Sequence, residues 1–146
     1  MAKLTHTNPQ SPPDPDRAVL IVTGSTLAAE AFDRPTANSL RTALAAAMPA
    51  HDVVVCSDIW YLNQNDLRAR PTISIGSPQV SALAAYLADR LPTAFAIDDV
   101  LMIQADPDFD EPIASCWGVT HDATTRAAVE FRERYLKAFV KAAARV

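Results

Sequence analysis

The chain is 146 residues long with a formal charge of −4; 49% of its residues are apolar and 21% are charged. That size suits one domain around one core, and the acidic balance excludes the basic footprint that nucleic acid or an anionic membrane would attract. No apolar run approaches the roughly 20 residues that span a bilayer, so neither a nucleic-acid nor a membrane partner is expected.

Residues 1–16, MAKLTHTNPQSPPDPD, hold four prolines and no apolar stretch of the secretory type. They are expected to form a disordered tail, with 17–146 as a single α/β domain and a cytoplasmic location. RAVLIVTGS (17–25) is a continuous apolar run closed by Gly-Ser, the pattern of a fully buried strand. TLAAEAF then suggests a short extra turn of helix. In DRPTANSLRTALAAAM, Ala37, Leu40, Leu44 and Ala47 recur at helical spacing, with Asp33 as the expected N-cap and Pro35 in the first turn.

HDVVVCSD (51–58) reads as a second strand and IWYLNQNDLRAR as a long irregular loop, in which Trp60, Tyr61, Asn63 and Asn65 could clasp a ligand or fold down as a lid. TISIGS (72–77) reads as a third strand. A helix is expected to follow from Pro78, capped by Ser77, with Val80, Leu83, Ala84, Leu87 and Leu91 on its buried face, and to stop at Pro92. DDVLMIQAD (98–106) and IASCWGVT (113–120) read as two more strands. The loop between them is too short for a crossover helix, so this pair should be antiparallel. A last helix is expected from Asp122 or Ala123 to near the end. Its cationic residues Lys137, Lys141 and Arg145 lie toward the end where the helix dipole favours them. The pattern predicts a three-layer α/β/α Rossmann-like domain, its five-stranded sheet mixed, mostly parallel, with one antiparallel hairpin.

The P-loop, the dinucleotide glycine fingerprint and the G-x-S-x-G nucleophile elbow are all absent from the chain, and no cofactor is expected. In open α/β sheets, ligands bind beyond the carboxyl ends of the strands. Those ends gather Gly24 and Ser25; Asp58; Gly76 and Ser77; and Thr120, His121 and Asp122 as candidate ligand-binding residues. Two of them are also candidate catalytic groups. His121 sits next to the expected cleft with Asp122 beside it, and Asp58 is a carboxylate directly after a buried strand. The competing reading is that Ser77, Asp58 and His121 merely cap or begin helices.

Asp106, Asp108 and Asp110 echo the start of a calcium loop, but Glu111 replaces the required glycine and Trp117 the closing glutamate, so an acidic hairpin is expected. No Cys/His pair has zinc spacing, and no metal is expected. Cys56 and Cys116 both lie in strands and are read as buried, reduced thiols.

SIGSPQVSALAAYL resembles the strand–G-G-P-x-V-N–helix segment of S-layer-like α/β modules of archaeal and some bacterial proteins. SCWGVTHDATTRAAVEF resembles the strand–Gly–loop–helix segment that follows in them. Ser77 departs from that pattern, where a second glycine is usual, as does Ser81 in place of asparagine. The resemblance covers about the second half of the chain. It implies an α/β fold, a structural or surface-associated role without chemistry to carry over, and relatives among bacterial proteins.

Three functions compete on this basis. The first is a non-catalytic module that binds a small ligand or a protein partner as a homodimer, with Phe131, Tyr135 and Phe139 of the last helix as the dimer surface. The second is a small hydrolase or transferase on a nucleotide-like or acyl substrate. It requires Ser25, Asp58, Ser77 and His121 around one cavity. The third is a purely structural module with no cavity, in which Ser77 and Thr124 are used up in capping.

Overall fold

The computed structural model of the chain describes residues 8, 9, 11 and 13–146. The protein is α/β, with a six-stranded mixed sheet. Strands β1 (Ala18–Thr23), β2 (Asp52–Ser57), β3 (Thr72–Ile75), β4 (Thr93–Ile97), β5 (Leu101–Ala105) and β6 (Ile113–Gly118) lie in the order β2-β1-β3-β6-β5-β4. β2, β1, β3 and β6 run parallel, while β5 is antiparallel to both β6 and β4. The antiparallel pairing of the last two strands is as the short loop between them required.

Six strands replace the expected five. The additional one, β4, reads TAFAI; its apolar run is short and half alanine, and no residue of it is fully buried, unlike those of β1. It forms the sheet edge and turns into β5 through Asp99, whose φ is 61°. β5 therefore starts at Leu101, three residues later than the expected strand.

Helices α1 (Arg34–Ala47), α2 (Asp58–Leu62), α3 (Ala82–Ala88) and α4 (His121–Ala143) complete the fold. The segment expected to be an irregular loop holds α2 and a 3₁₀ turn over Asn65–Leu67. Asn63 closes α2 by donating its side-chain amide to the Ile59 carbonyl at 3.0 Å. Period-2 alternation along the strands divides the sheet's side chains between two apolar clusters. Val19, Ile21, Ile73 and Ile75 pack with Leu40 and Leu44 of α1 and with Phe131 and Phe139 of α4. Leu20, Val22 and Cys56 pack with Tyr61 of α2 and with Leu83 and Leu87 of α3.

The aromatic stripe of α4 is not a surface. Phe131 and Phe139 are both 0% exposed and their rings meet edge to face at 5.8 Å. Tyr135 is half-buried and donates its hydroxyl to the Ala94 carbonyl at 3.1 Å. These side chains were expected to form a dimer face; Phe131 and Phe139 instead pack into the core against Ile103 of β5 and Ala114 and Cys116 of β6, with Tyr135 at its margin. In the N-terminal segment, the Asn8 side chain accepts from the Ser57 backbone N–H at 2.8 Å and donates to its hydroxyl at 3.2 Å. Among the described residues no helix is long and apolar enough to cross a membrane.

Candidate functional site

The site begins at a helix junction. Ala29–Asp33 forms a π-helical turn that runs straight into α1, with Asp33 itself in helical geometry (φ −85°, ψ −33°). Asp33 makes no side-chain cap, contrary to the role its position before Arg-Pro suggested. Its carboxylate turns to the other end of the sequence, where Oδ1 lies 2.9 Å from His121 Nδ1. Asp33 is 1% exposed, and its Oδ2 has no hydrogen-bond partner among the described residues. Burial pushes the Asp33 carboxyl above the ordinary aspartate value of 3.8, and the hydrogen bond and charge of His121 pull it partly back.

His121 is the first residue of α4. Thr120 fixes that start by accepting the Ala123 N–H on its hydroxyl at 3.1 Å. The Phe32 ring stacks on the imidazole with centroids 5.0 Å apart. A carboxylate on Nδ1 selects the tautomer with the proton on that nitrogen and leaves Nε2 as the basic atom. This is the arrangement that acid–base catalysis uses.

The pair opens onto a cleft of about 360 Å3 at the carboxyl ends of β3 and β6. Val80 and Trp117 give it apolar walls; Ser77, Gln79 and Thr120 supply polar groups. The Trp117 indole is held by donating to Gln104 Oε1 at 3.3 Å. Gly76 bends the chain into the cleft with φ 126°, a conformation that side chains rarely adopt. A Cβ there would also come within 3.2 Å of Asp33 Oδ2, so the glycine leaves room for the carboxylate.

No family model and no curated protein matches this chain.

The candidate residues divide into two groups. Ser77, Thr120 and His121 line the cleft, and Gly76 borders it. Ser77 is not a cap: α3 starts at Ala82, where the Ser81 hydroxyl accepts the Ala84 N–H at 3.3 Å. The Ser77 carbonyl instead receives the Val80 and Ser81 N–H groups in a turn, and its hydroxyl makes no hydrogen bond among the described residues. Thr124, by contrast, is engaged, accepting the Gly118 N–H at 3.0 Å.

Gly24, Ser25, Asp58 and Asp122 are not among the cleft residues. Asp58 is 4% exposed and acts as a buried brace. It accepts a short hydrogen bond from the Ser25 hydroxyl, and 2.7 Å bonds from the Ile59 and Ala82 N–H groups. It thereby ties the end of β1 to the starts of α2 and α3. Gly24 is packed so closely on the Val80 carbonyl that a Cβ would collide with it. Asp122 is an exposed acid in the first turn of α4, where the helix dipole favours it.

Among the described residues no cluster of His, Cys, Asp and Glu is arranged to hold a metal ion. In the acidic hairpin, Asp106 accepts the N–H groups of Asp108 and Asp110, each at 3.1 Å. Both cysteines are free and buried; burial pushes the Cys56 thiol up to about 12 and the Cys116 thiol up as well, which leaves neither as a ready nucleophile.

Asp33, Gln79 and Trp117 are among the cleft residues that pattern reading missed. Asp33 had an apparent local role as a cap, and its partner lies 88 residues away. The available clue was TLAAEAFD: a helical pattern continuing up to Asp33 argues against a cap there, because a cap sits outside the helix.

Proposed function

We propose that this protein is a small hydrolase or acyltransferase, in which His121, oriented by Asp33, is the acid–base group for an acyl substrate in the β3/β6 cleft. The observation that carries this reading is the hydrogen bond between His121 Nδ1 and the buried Asp33 carboxylate at the cleft wall. A carboxylate taken out of water with one oxygen unpartnered costs stability, and such a cost is characteristic of functional sites.

The chemistry follows from the groups present. His121 Nε2 takes a proton from water, or from an acceptor alcohol, as its oxygen adds to the acyl carbon. The same proton then passes to the leaving group as the tetrahedral intermediate collapses. Among the described residues the backbone N–H of His121, the first of α4, has no hydrogen-bond partner, and at the helix N-terminus beside the cleft it favours the developing oxyanion. Ser77 Oγ makes no hydrogen bond to His121, so water rather than Ser77 is assigned as nucleophile and Ser77 as a substrate contact.

Hydrolysis of p-nitrophenyl acetate tests this. His121→Ala is expected to lower kcat/KM at least about 100-fold, with His51→Ala unchanged as the control. Equal rates in wild type and His121→Ala would remove the assignment.

The sheet order and the two apolar clusters favour a Rossmann-like layering, and a cytoplasmic location goes with this reading. A homodimer is proposed on a different surface from α4: Leu27, Phe32 and Val119 are 79%, 57% and 66% exposed, Leu27 and Phe32 lie in the segment between β1 and α1, and Val119 directly follows β6. A native mass that stays monomeric at high protein concentration would rule it out. A structural role like that of S-layer-like modules is the remaining alternative. It fits poorly with an uncommitted Ser77 hydroxyl facing a cleft.

A further inference from the structure

A second cavity, of about 420 Å3, lies at the opposite end of β3 and β6, where these strands begin. It plays no part in the Asp33–His121 chemistry. Its floor is aliphatic, with Leu83 and Leu87 of α3 and Ile113 of β6. Tyr61 walls one side and is already satisfied, because its hydroxyl hydrogen-bonds Thr72 Oγ1 at 3.2 Å. The cavity falls within the size range of small-molecule sites, about 300–1,000 Å3.

What distinguishes it is the state of its cations. Arg68 and Arg90 both line it, and among the described residues neither lies within 4.0 Å of a carboxylate. Beside the apolar floor, these two guanidinium groups leave donors for an anionic ligand. Arg90 is also pre-positioned: it stacks 3.8 Å over the Tyr86 ring and donates Nη1 to the Tyr86 carbonyl at 2.7 Å. Arg68 is held more loosely, through a 3.5 Å contact to Asn65 Oδ1. The guanidinium fork is the side chain best matched to a planar carboxylate.

Glu111 also lines the cavity. One acid beside two arginines leaves a net charge of +1, which a single carboxylate neutralises, whereas a dianion such as a phosphate monoester would leave excess negative charge beside Glu111. We propose that this cavity binds a small monocarboxylate carrying an apolar group, its carboxylate on Arg68 and Arg90 and its body on Leu83, Leu87 and Ile113. The site is separate from the catalytic cleft, and the proposal stands whether or not His121 is catalytic.

The test is a titration of the full chain with 3-phenylpropionate, and in parallel with the neutral 3-phenylpropanamide, followed by methyl NMR of Leu83 and Leu87. The expected result is a saturable shift with the acid, with the amide binding at least about 10-fold more weakly. Arg90→Gln and Arg68→Gln are each expected to weaken the acid by a similar factor, while Arg134→Gln changes nothing. Arg68 and Arg90 are exposed, so both variants should fold, and an unchanged thermal midpoint confirms it. Acid and amide binding equally well would overturn the proposal. So would arginine variants that bind the acid like wild type, or a lack of any saturable shift at Leu83 and Leu87.

Discussion

Two buried aspartates in this protein face opposite demands. Asp58 has every demand met, with a hydroxyl and two backbone N–H groups on its two oxygens. Removing it orphans those donors, so Asp58→Ala is expected to lose about 2–4 kcal/mol in urea unfolding. Asp33 has one oxygen on His121 and one on nothing. Because its folded pKa is raised, chiefly by burial, its contribution to stability is greatest below the ordinary value of 3.8 and is lost as pH rises through the folded value. Asp33→Asn cannot ionise and escapes that loss. Relative to wild type it is expected to gain stability between pH 3 and pH 7, read from thermal midpoints at the two values. A difference that does not move with pH would refute the burial argument. Sequence pattern singled out Asp58 as a site candidate and gave Asp33 only a capping role, which the structure does not show. A carboxylate after a strand looks reactive and one before Arg-Pro looks like a cap, yet only distant partners decide which is satisfied.

Helix starts carry the same lesson one level up. Thr120 and Ser81 cap α4 and α3, and each replaced by alanine should cost about 1 kcal/mol. Ser77→Ala should change stability by less than about 0.5 kcal/mol, because that hydroxyl caps nothing. A loss at Ser77 equal to that at Ser81 would reinstate Ser77 as a cap. Gly-Ser-Pro misled because Ser-Pro satisfies the local rule for a helix start; the chain instead makes one turn first, closed by the Val80 and Ser81 N–H groups on the Ser77 carbonyl, and this turn seats the Val80 carbonyl against Gly24. Gly24→Ala is therefore expected to cost about 2–3 kcal/mol, measured in the same unfolding series. The strands β1, β2 and β3 were legible because each is a short β-branched-rich run, buried or half-buried throughout and bounded by turn residues. β4 was not, because an edge strand with half-exposed residues carries little pattern. α2 was hidden by its brevity, at five residues.

For the molecule as a whole, fold and site differ in how far they can be read from sequence. The α/β alternation and the antiparallel hairpin follow from local periodicity and loop length. The site does not, because it joins the end of a π-helical turn, a strand-end turn and the first residue of α4. The sheet order is what brings these together: β3 and β6 are neighbours although β4 and β5 intervene in sequence. That adjacency sets the start of α4 beside the end of β3 and lets Asp33 reach across above Gly76. In the proposed mechanism Asp33 serves His121 rather than the fold. The most direct test is the rate of p-nitrophenyl acetate hydrolysis by folded Asp33→Asn against wild type at neutral pH. A fall of at least about 100-fold is expected, in a protein no less stable than wild type. A rate that is unchanged, with stability lost instead, would contradict it and make Asp33 a structural residue.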